Sequence, residues 1–161
     1  MSDGNPLTDE NIKKFAAAWY LALDNHAPTE ELAALLTDDV QMVFPEKTLP
    51  GINDFKAWYA GGRYADGTDA PGVINIFFDE NHNVVSVDRG SASGNALQVK
   101  VVVAWQASWF EKPATKAKRT SLDATQNWTL TASSKNRFGI AISRYDAVAE
   151  PFKYAPGFAR L

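Results

Sequence analysis

Apolar residues recur at helical spacing through the first third of the chain and at strand spacing through most of the rest. Ile12, Phe15, Ala16, Trp19 and Leu23 fall on one stripe with Lys13 and Lys14 off it, which predicts an amphipathic helix. Thr8 is placed to cap that helix, and Asp9 and Glu10 suit the positive end of its dipole. Pro28, Thr29, Glu30 and Glu31 open a second, short helix with Leu32, Leu35 and Leu36 on its buried side, ending near Asp38. A strand is expected at 40–44, before Pro45 and the Pro50-Gly51 turn. Ile52, Phe55, Trp58 and Tyr59 then line one stripe of a third helix, which Gly61-Gly62 stops.

Residues 63–72 are rich in Gly, Asp, Ala and Pro and predict an irregular surface loop. Two β-rich runs, 73–78 and 84–87, are expected to pair as a hairpin through a polar turn at 79–83. Three long strands follow at 96–110, 120–131 and 138–148. Helices first and sheet last is the order of an α+β domain rather than of alternating βαβ units.

Alternation assigns the faces of the two longest strands. Leu97, Val99, Val101, Val103, Trp105, Ala107 and Trp109 make one wholly apolar face. On the next strand Leu122, Ala124, Gln126, Trp128 and Leu130 point inward, and Gln126 alone among them is polar. A buried amide has to find partners, so Gln126 is a candidate anchor for a ligand. The opposite face of the first strand carries Val102 and Ala104 in its middle, and with Phe110 they predict contact with a second copy of the chain.

Composition narrows the function classes. With 161 residues, 45% of them hydrophobic, the chain fits one domain over 1–161, with a core at 7–148 and an arm or lid at 149–161. A net charge of -3 and a pI near 5.3 argue against a nucleic-acid surface, and the basic cluster at 112–119 fits a solvated turn. The lack of cysteine removes disulfides and thiolate chemistry and suits a reducing compartment. No segment approaches the ~20 apolar residues of a membrane span, and the polar, acidic start is unlike a secretory signal, so a cytoplasmic protein is expected. No serine sits in a G-x-S-x-G elbow. His26, in the linker between helices, and His82, in the expected turn, read as two isolated surface histidines, too few for a typical metal site.

The element order, with Trp19-Tyr20-x-x-x-Asp24, Thr37-Asp38-Asp39-Val40, Pro45, Gly51-Ile52-x-x-Phe55 and Asn127-Trp128-Thr129-Leu130, resembles the nuclear transport factor 2-like superfamily, in particular its SnoaL-like, polyketide-cyclase-type bacterial members. The resemblance spans 7–148. It implies a cone-shaped, strongly curved antiparallel sheet wrapped around N-terminal helices, enclosing an apolar pocket and often forming a dimer. Members include isomerases, cyclases, dehydratases, epoxide hydrolases and proteins without catalysis.

Ketosteroid isomerase tests individual positions. The resemblance sets its general base at Phe44, before Pro45, its oxyanion tyrosine at Trp19 or Tyr20, and its protonated aspartate near Gln126. Phe44 is no base, and an amide does not exchange a proton near neutrality. Epoxide hydrolases of the superfamily use two aspartates bridged by an arginine. Asp123, Arg144 and Asp146 supply those residue types, although Asp123 has the outward parity, while Arg144 and Asp146 are expected to share the face of Ile140 and Ile142. A rim salt bridge at a strand end accounts for that pair more simply, since ion pairs near surfaces are common and weak.

Three expectations follow. A small apolar ligand binds in a pocket lined by Trp19, Phe44, Trp58, Tyr59, Trp105, Gln126 and Trp128. Alternatively an enzyme works there without cofactor on a carbonyl or polyketide-like substrate, with Asp146 or Asp123 as base and Arg144 or Tyr20 as electrophile. In the third case the pocket is vestigial and the role structural.

Overall fold

The computed structural model describes residues 4–45, 47–110 and 116–147. The expected arm at 149–161 lies outside them. In chain order the elements are α1 (Asp9–Asp24), α2 (Thr29–Ala33), β1 (Leu36–Val43), β2 (Thr48–Pro50), α3 (Ile52–Ala60), β3 (Gly62–Arg63), β4 (Asp69–Ala70), α4 (Val73–Ile76), β5 (Phe77–Ser93), β6 (Ala96–Phe110), β7 (Ala117–Ala132) and β8 (Ile140–Asp146). Six strands form one sheet in the order β2-β1-β8-β7-β6-β5, and the β3-β4 pair stands apart. The sheet is mixed, since β1 runs parallel to β8 while its other neighbours are antiparallel. It stays open, with β2 and β5 as its edges.

The N-terminal helix is capped as its sequence predicts, the Thr8 hydroxyl accepting from the Asn11 amide at 3.3 Å. Its apolar stripe lies on the inner face of the sheet. Phe15 meets Trp128 edge-on at 6.3 Å, and Trp19 packs beside Tyr145 at 6.1 Å. The inward side chains of β6 from Leu97 to Trp109 are all buried, and Trp19, Trp128, Tyr20, Tyr59, Phe15 and Phe55 are the largest of the fully buried side chains. Each large apolar side chain withdrawn from water contributes about 1.5–3 kcal/mol, so this one layer of helices on sheet is what holds the fold.

The structure differs from the sequence expectations in the parallel pairing of β1 with β8, where the resemblance implies an antiparallel sheet, and in the bounds and faces of several elements. The second helix stops at Ala33, and β1 begins at Leu36 rather than 40, because β8 pairs with it from the start: Ile142 donates to the Leu35 carbonyl at 2.9 Å. The expected hairpin at 73–87 is instead one helical turn, α4, followed by the single strand β5 of 17 residues. Polar residues 79–83 do not turn back: a bulge between Phe78 and Asn81, with Asp79 at a φ of 55°, takes up the break, and Asn81, His82 and Asn83 go on pairing with β6. A further difference is a bulge in β8. Leu130 pairs with Ile142 and Thr129 with Arg144, which leaves Ser143 as an extra residue and exchanges the faces beyond it. Tyr145 therefore points into the core, and Arg144 and Asp146 point out.

The 63–72 segment is more ordered than its composition suggests. β3 and β4 pair across a turn in which Tyr64 donates to Thr68 at 2.8 Å, and Asp66 accepts from the Thr68 hydroxyl at 2.6 Å. At its base Gly72 lies against the end of α3. A methyl group added there would come within 2.2 Å of the Gly61 nitrogen and 2.5 Å of the Tyr59 carbonyl oxygen, both backbone atoms that cannot step aside. Gly72→Ala is expected to cost about 3 kcal/mol through overpacking, read from urea unfolding. An unchanged midpoint would mean that this junction is not close-packed.

Candidate functional site

Residues Tyr20 and Asp24 are one helical turn apart on α1 and face the sheet together. Opposite them β5 carries Glu80 and His82, two apart and so on one face. Asp24 binds His82 twice: its Oδ2 accepts from the His82 amide at 2.8 Å, and its Oδ1 lies 2.6 Å from His82 Nδ1. Both side chains are nearly buried, at 13% and 11% exposed. A carboxylate on Nδ1 sets the ring tautomer and leaves Nε2 to take up or release a proton. The imidazole is sandwiched, with Tyr20 stacked at 4.7 Å and Trp105, its partner across the strand pair, at 6.0 Å.

Gln126 of β7 is buried, and its Oε1 accepts a hydrogen bond from the Tyr20 hydroxyl. That bond orients the amide and identifies its Nε2 as the donor end. The Tyr145 hydroxyl, delivered inward by the β8 bulge, is 3.4 Å from that of Tyr20. Glu80 is the second acid, its side chain only 5% exposed. Burial pushes its carboxyl up to about 8, with the hydrogen bond from Trp105 opposing and the charge of Asp24 adding to the rise. Tyr59 braces the α1–α2 linker by donating to the Ala27 carbonyl at 2.6 Å. Burial, then the charges of Glu80 and Glu31, pushes its hydroxyl up to about 12.

These groups surround a cavity lined by Leu23, Phe44, Trp58, Val73, Phe77, Glu80, His82, Trp105, Ala124, Gln126 and Tyr145. It leaves about 50 Å³ for the centres of water-sized spheres. One water needs roughly 10–15 Å³ on that measure, so there is room for a small organic molecule.

No family model matches the chain, and neither does any curated protein. Solved structures do. A candidate aromatic ring hydroxylase of Novosphingobium aromaticivorans superposes with a TM-score of 0.71 at 11% identity, over 93% of this chain and 94% of that one. A candidate scytalone dehydratase of the same organism gives 0.67 at 17%, over 96% and 95%. A candidate dehydratase of the nuclear transport factor 2-like family from Streptomyces avermitilis gives 0.62 at 15%, over 87% and 94%. This chain has the nuclear transport factor 2-like fold. At such identities the likeness concerns the fold, and the chemistry has to come from the site.

Within this nuclear transport factor 2-like fold the residues singled out in the sequence fall into three groups. Phe44, Trp58, Trp105 and Gln126 line the cavity, and Tyr20 reaches it through Gln126. Trp19, Tyr59 and Trp128 are buried behind it and do not line it. Arg144 and Asp146 lie 3.5 Å apart with side chains 51% and 29% exposed, on the outside of the sheet. Their expected place beside Ile140 and Ile142 is corrected by the bulge at Ser143, which leaves them a surface ion pair. Asp123 is exposed, as its parity predicts. Asp146, Arg144 and Asp123 are thus all absent from the cavity lining.

Of the two histidines, His82 is corrected, being enclosed against Asp24, whereas His26 is exposed in the linker as expected but not isolated, its Nε2 lying 3.6 Å from Glu80 Oε1. The groups that sequence reasoning missed are Asp24, Glu80, His82 and Tyr145. No periodic signal marks the sequence at 79–83, where every residue is polar, and the alternation of Glu80, His82 and Val84 with outward residues shows only in the folded strand.

Proposed function

We propose that the chain binds a small, largely apolar carbonyl compound in this cavity and removes a proton from the carbon next to the carbonyl, without a cofactor, as an isomerase, cyclase or dehydratase does. The observation that carries it is the Asp24–His82 pair set in the cavity wall beside Gln126 and Tyr145. His82 Nε2 takes the proton, and Asp24 stabilises the imidazolium that results. The electron pair moves to the carbonyl oxygen, which the Gln126 amide and the Tyr145 hydroxyl meet as donors. Return of the proton to another carbon completes an isomerisation, and loss of a hydroxyl from the β-carbon completes a dehydration. Candidate dehydratases of the same fold support this by analogy alone.

The test is a thermal-shift panel of cyclic ketones followed by incubation in heavy water. Ligand binding raises the melting temperature by mass action, and deuterium appears at the α-carbon of a bound ketone. Binding without exchange would reduce the chain to a carrier. No binding would favour a filled, structural core.

On this proposal the protein works in the cytoplasm as a homodimer. Phe78 and Phe110 stack at 5.0 Å on the outer face of the sheet and are 37% and 59% exposed, with Val85 60% exposed on the same strand. A second copy covering this patch removes it from water. Sedimentation at micromolar concentration is expected to give a dimer that Phe110→Lys returns to monomer, and a monomeric parent protein refutes the interface. Among the described residues no helix is long and apolar enough to cross a membrane.

A further inference from the structure

The chemistry proposed above leaves Glu80 unused, although it lines the same cavity. Its Oε2 accepts from Trp105 Nε1 at 3.4 Å. Its Oε1 is buried and makes no hydrogen bond among the described residues, with His26 Nε2 just beyond bonding distance at 3.6 Å. A buried carboxyl oxygen without a hydrogen bond is costly, and a donor arriving with the ligand would supply one.

The rest of the lining says which donor. The wall is aromatic at Phe44, Trp58, Phe77, Trp105 and Tyr145, and among the described residues that line it none is a lysine or an arginine. Asp24 and Glu80 are the acids of the site, and an anionic ligand would face them with no fixed cation to receive it. A cation gains twice, from the carboxylate and from the ring quadrupoles.

We propose that Glu80, with Trp58, Phe77 and Trp105 around it, forms a subsite for a protonated primary or secondary amine, whose N–H⁺ donates to Oε1. This deepens the reading of the cavity and rests on the cavity accepting a small ligand. The substrate is then an aminoketone, held by its ammonium group at Glu80 and by its carbonyl at Gln126 and Tyr145. Glu80 carries its proton to about pH 8 in the empty site. Binding an ammonium ion near neutrality therefore releases that proton to solvent. The other titratable groups facing Glu80 are His26 at 3.6 Å, Asp24 and Tyr59, with His82 two residues on.

The probes are isobutylamine and benzylamine against isobutanol and benzyl alcohol, which match them in shape but carry no charge. Such amines stay protonated up to about pH 9, much as lysine does. Calorimetry is expected to show each amine binding at least tenfold more tightly than its alcohol at about pH 8, and tightening about tenfold per pH unit from about pH 6 to 8. Near neutrality, titration in buffers of different ionisation heat should report close to one proton released per amine bound. Glu80→Gln should abolish the preference for the amine, and His26→Gln should keep it.

Equal binding of amine and alcohol overturns the subsite, as does an amine preference that survives Glu80→Gln or that releases no proton. The proton count needs no variant, so it decides the matter even if Glu80→Gln fails to fold. Ketones and alcohols that bind while amines gain nothing refute this subsite alone. Silence from every probe removes the ligand cavity and the subsite together.

Discussion

Replacing His82 with Gln is expected to slow α-proton exchange on a bound ketone by about 10²–10⁴-fold, the usual contribution of a positioned base. The amide keeps the size of the ring and can still bond to Asp24, but it cannot accept a proton. Asp24→Asn should cost a similar factor by a different route. Asp24 touches no substrate. It sets the tautomer through Nδ1 at 2.6 Å and compensates the imidazolium, so its loss should move the pH profile as well as the rate. Ketone affinity in both variants should stay near that of the parent protein. Exchange that persists in both variants would exclude the pair as the base.

The second large effect is on stability against pH. Glu80 is held neutral in the folded protein up to about 8, whereas its ordinary value is 4.5. Between those values the unfolded chain has released the proton and the folded chain has kept it, so stability falls as pH rises. The contribution is fully present below 4.5 and gone above about 8. The fall is on the order of 5 kcal/mol for a group this deeply buried. Gln cannot ionise, so Glu80→Gln should lose this slope and be the more stable protein at about pH 8. Urea unfolding of both proteins at about pH 5, 6.5 and 8 isolates the effect, because the two proteins differ at residue 80 alone. Parallel stability curves would show that water or His26 relieves the buried carboxylate. The same result would weaken the case for an ammonium subsite.

Local pattern carried much of the architecture. The stripe on α1, the aromatic stripe on α3 and the alternation in β6 and β7 are each set by neighbours a few residues away, and each element formed with the predicted face buried. Gln126 was legible for the same reason, as one polar residue in an otherwise apolar alternation. Tyr20 stood out on the helix beside Trp19. The loose motifs were enough to indicate the fold, since they mark where elements start and stop.

What the sequence by itself determined, then, is which residues are inward on elements whose period is unbroken. What only the tertiary structure decided is everything that depends on pairing between distant strands or on a break in period. Asp24 and His82 are 58 positions apart and belong to elements read in isolation as a helix end and a turn. They meet because β6 supplies a ladder long enough to draw 79–83 into β5, under the helix. Tyr145 reaches the cavity, and Arg144 and Asp146 leave it, because one extra residue at Ser143 shifts the face of a strand. A period-two pattern has no memory of such an insertion, so this bulge sends Arg144 and Asp146 to water while the register shift between Phe78 and Asn81 in β5 sets the face of Glu80 and His82.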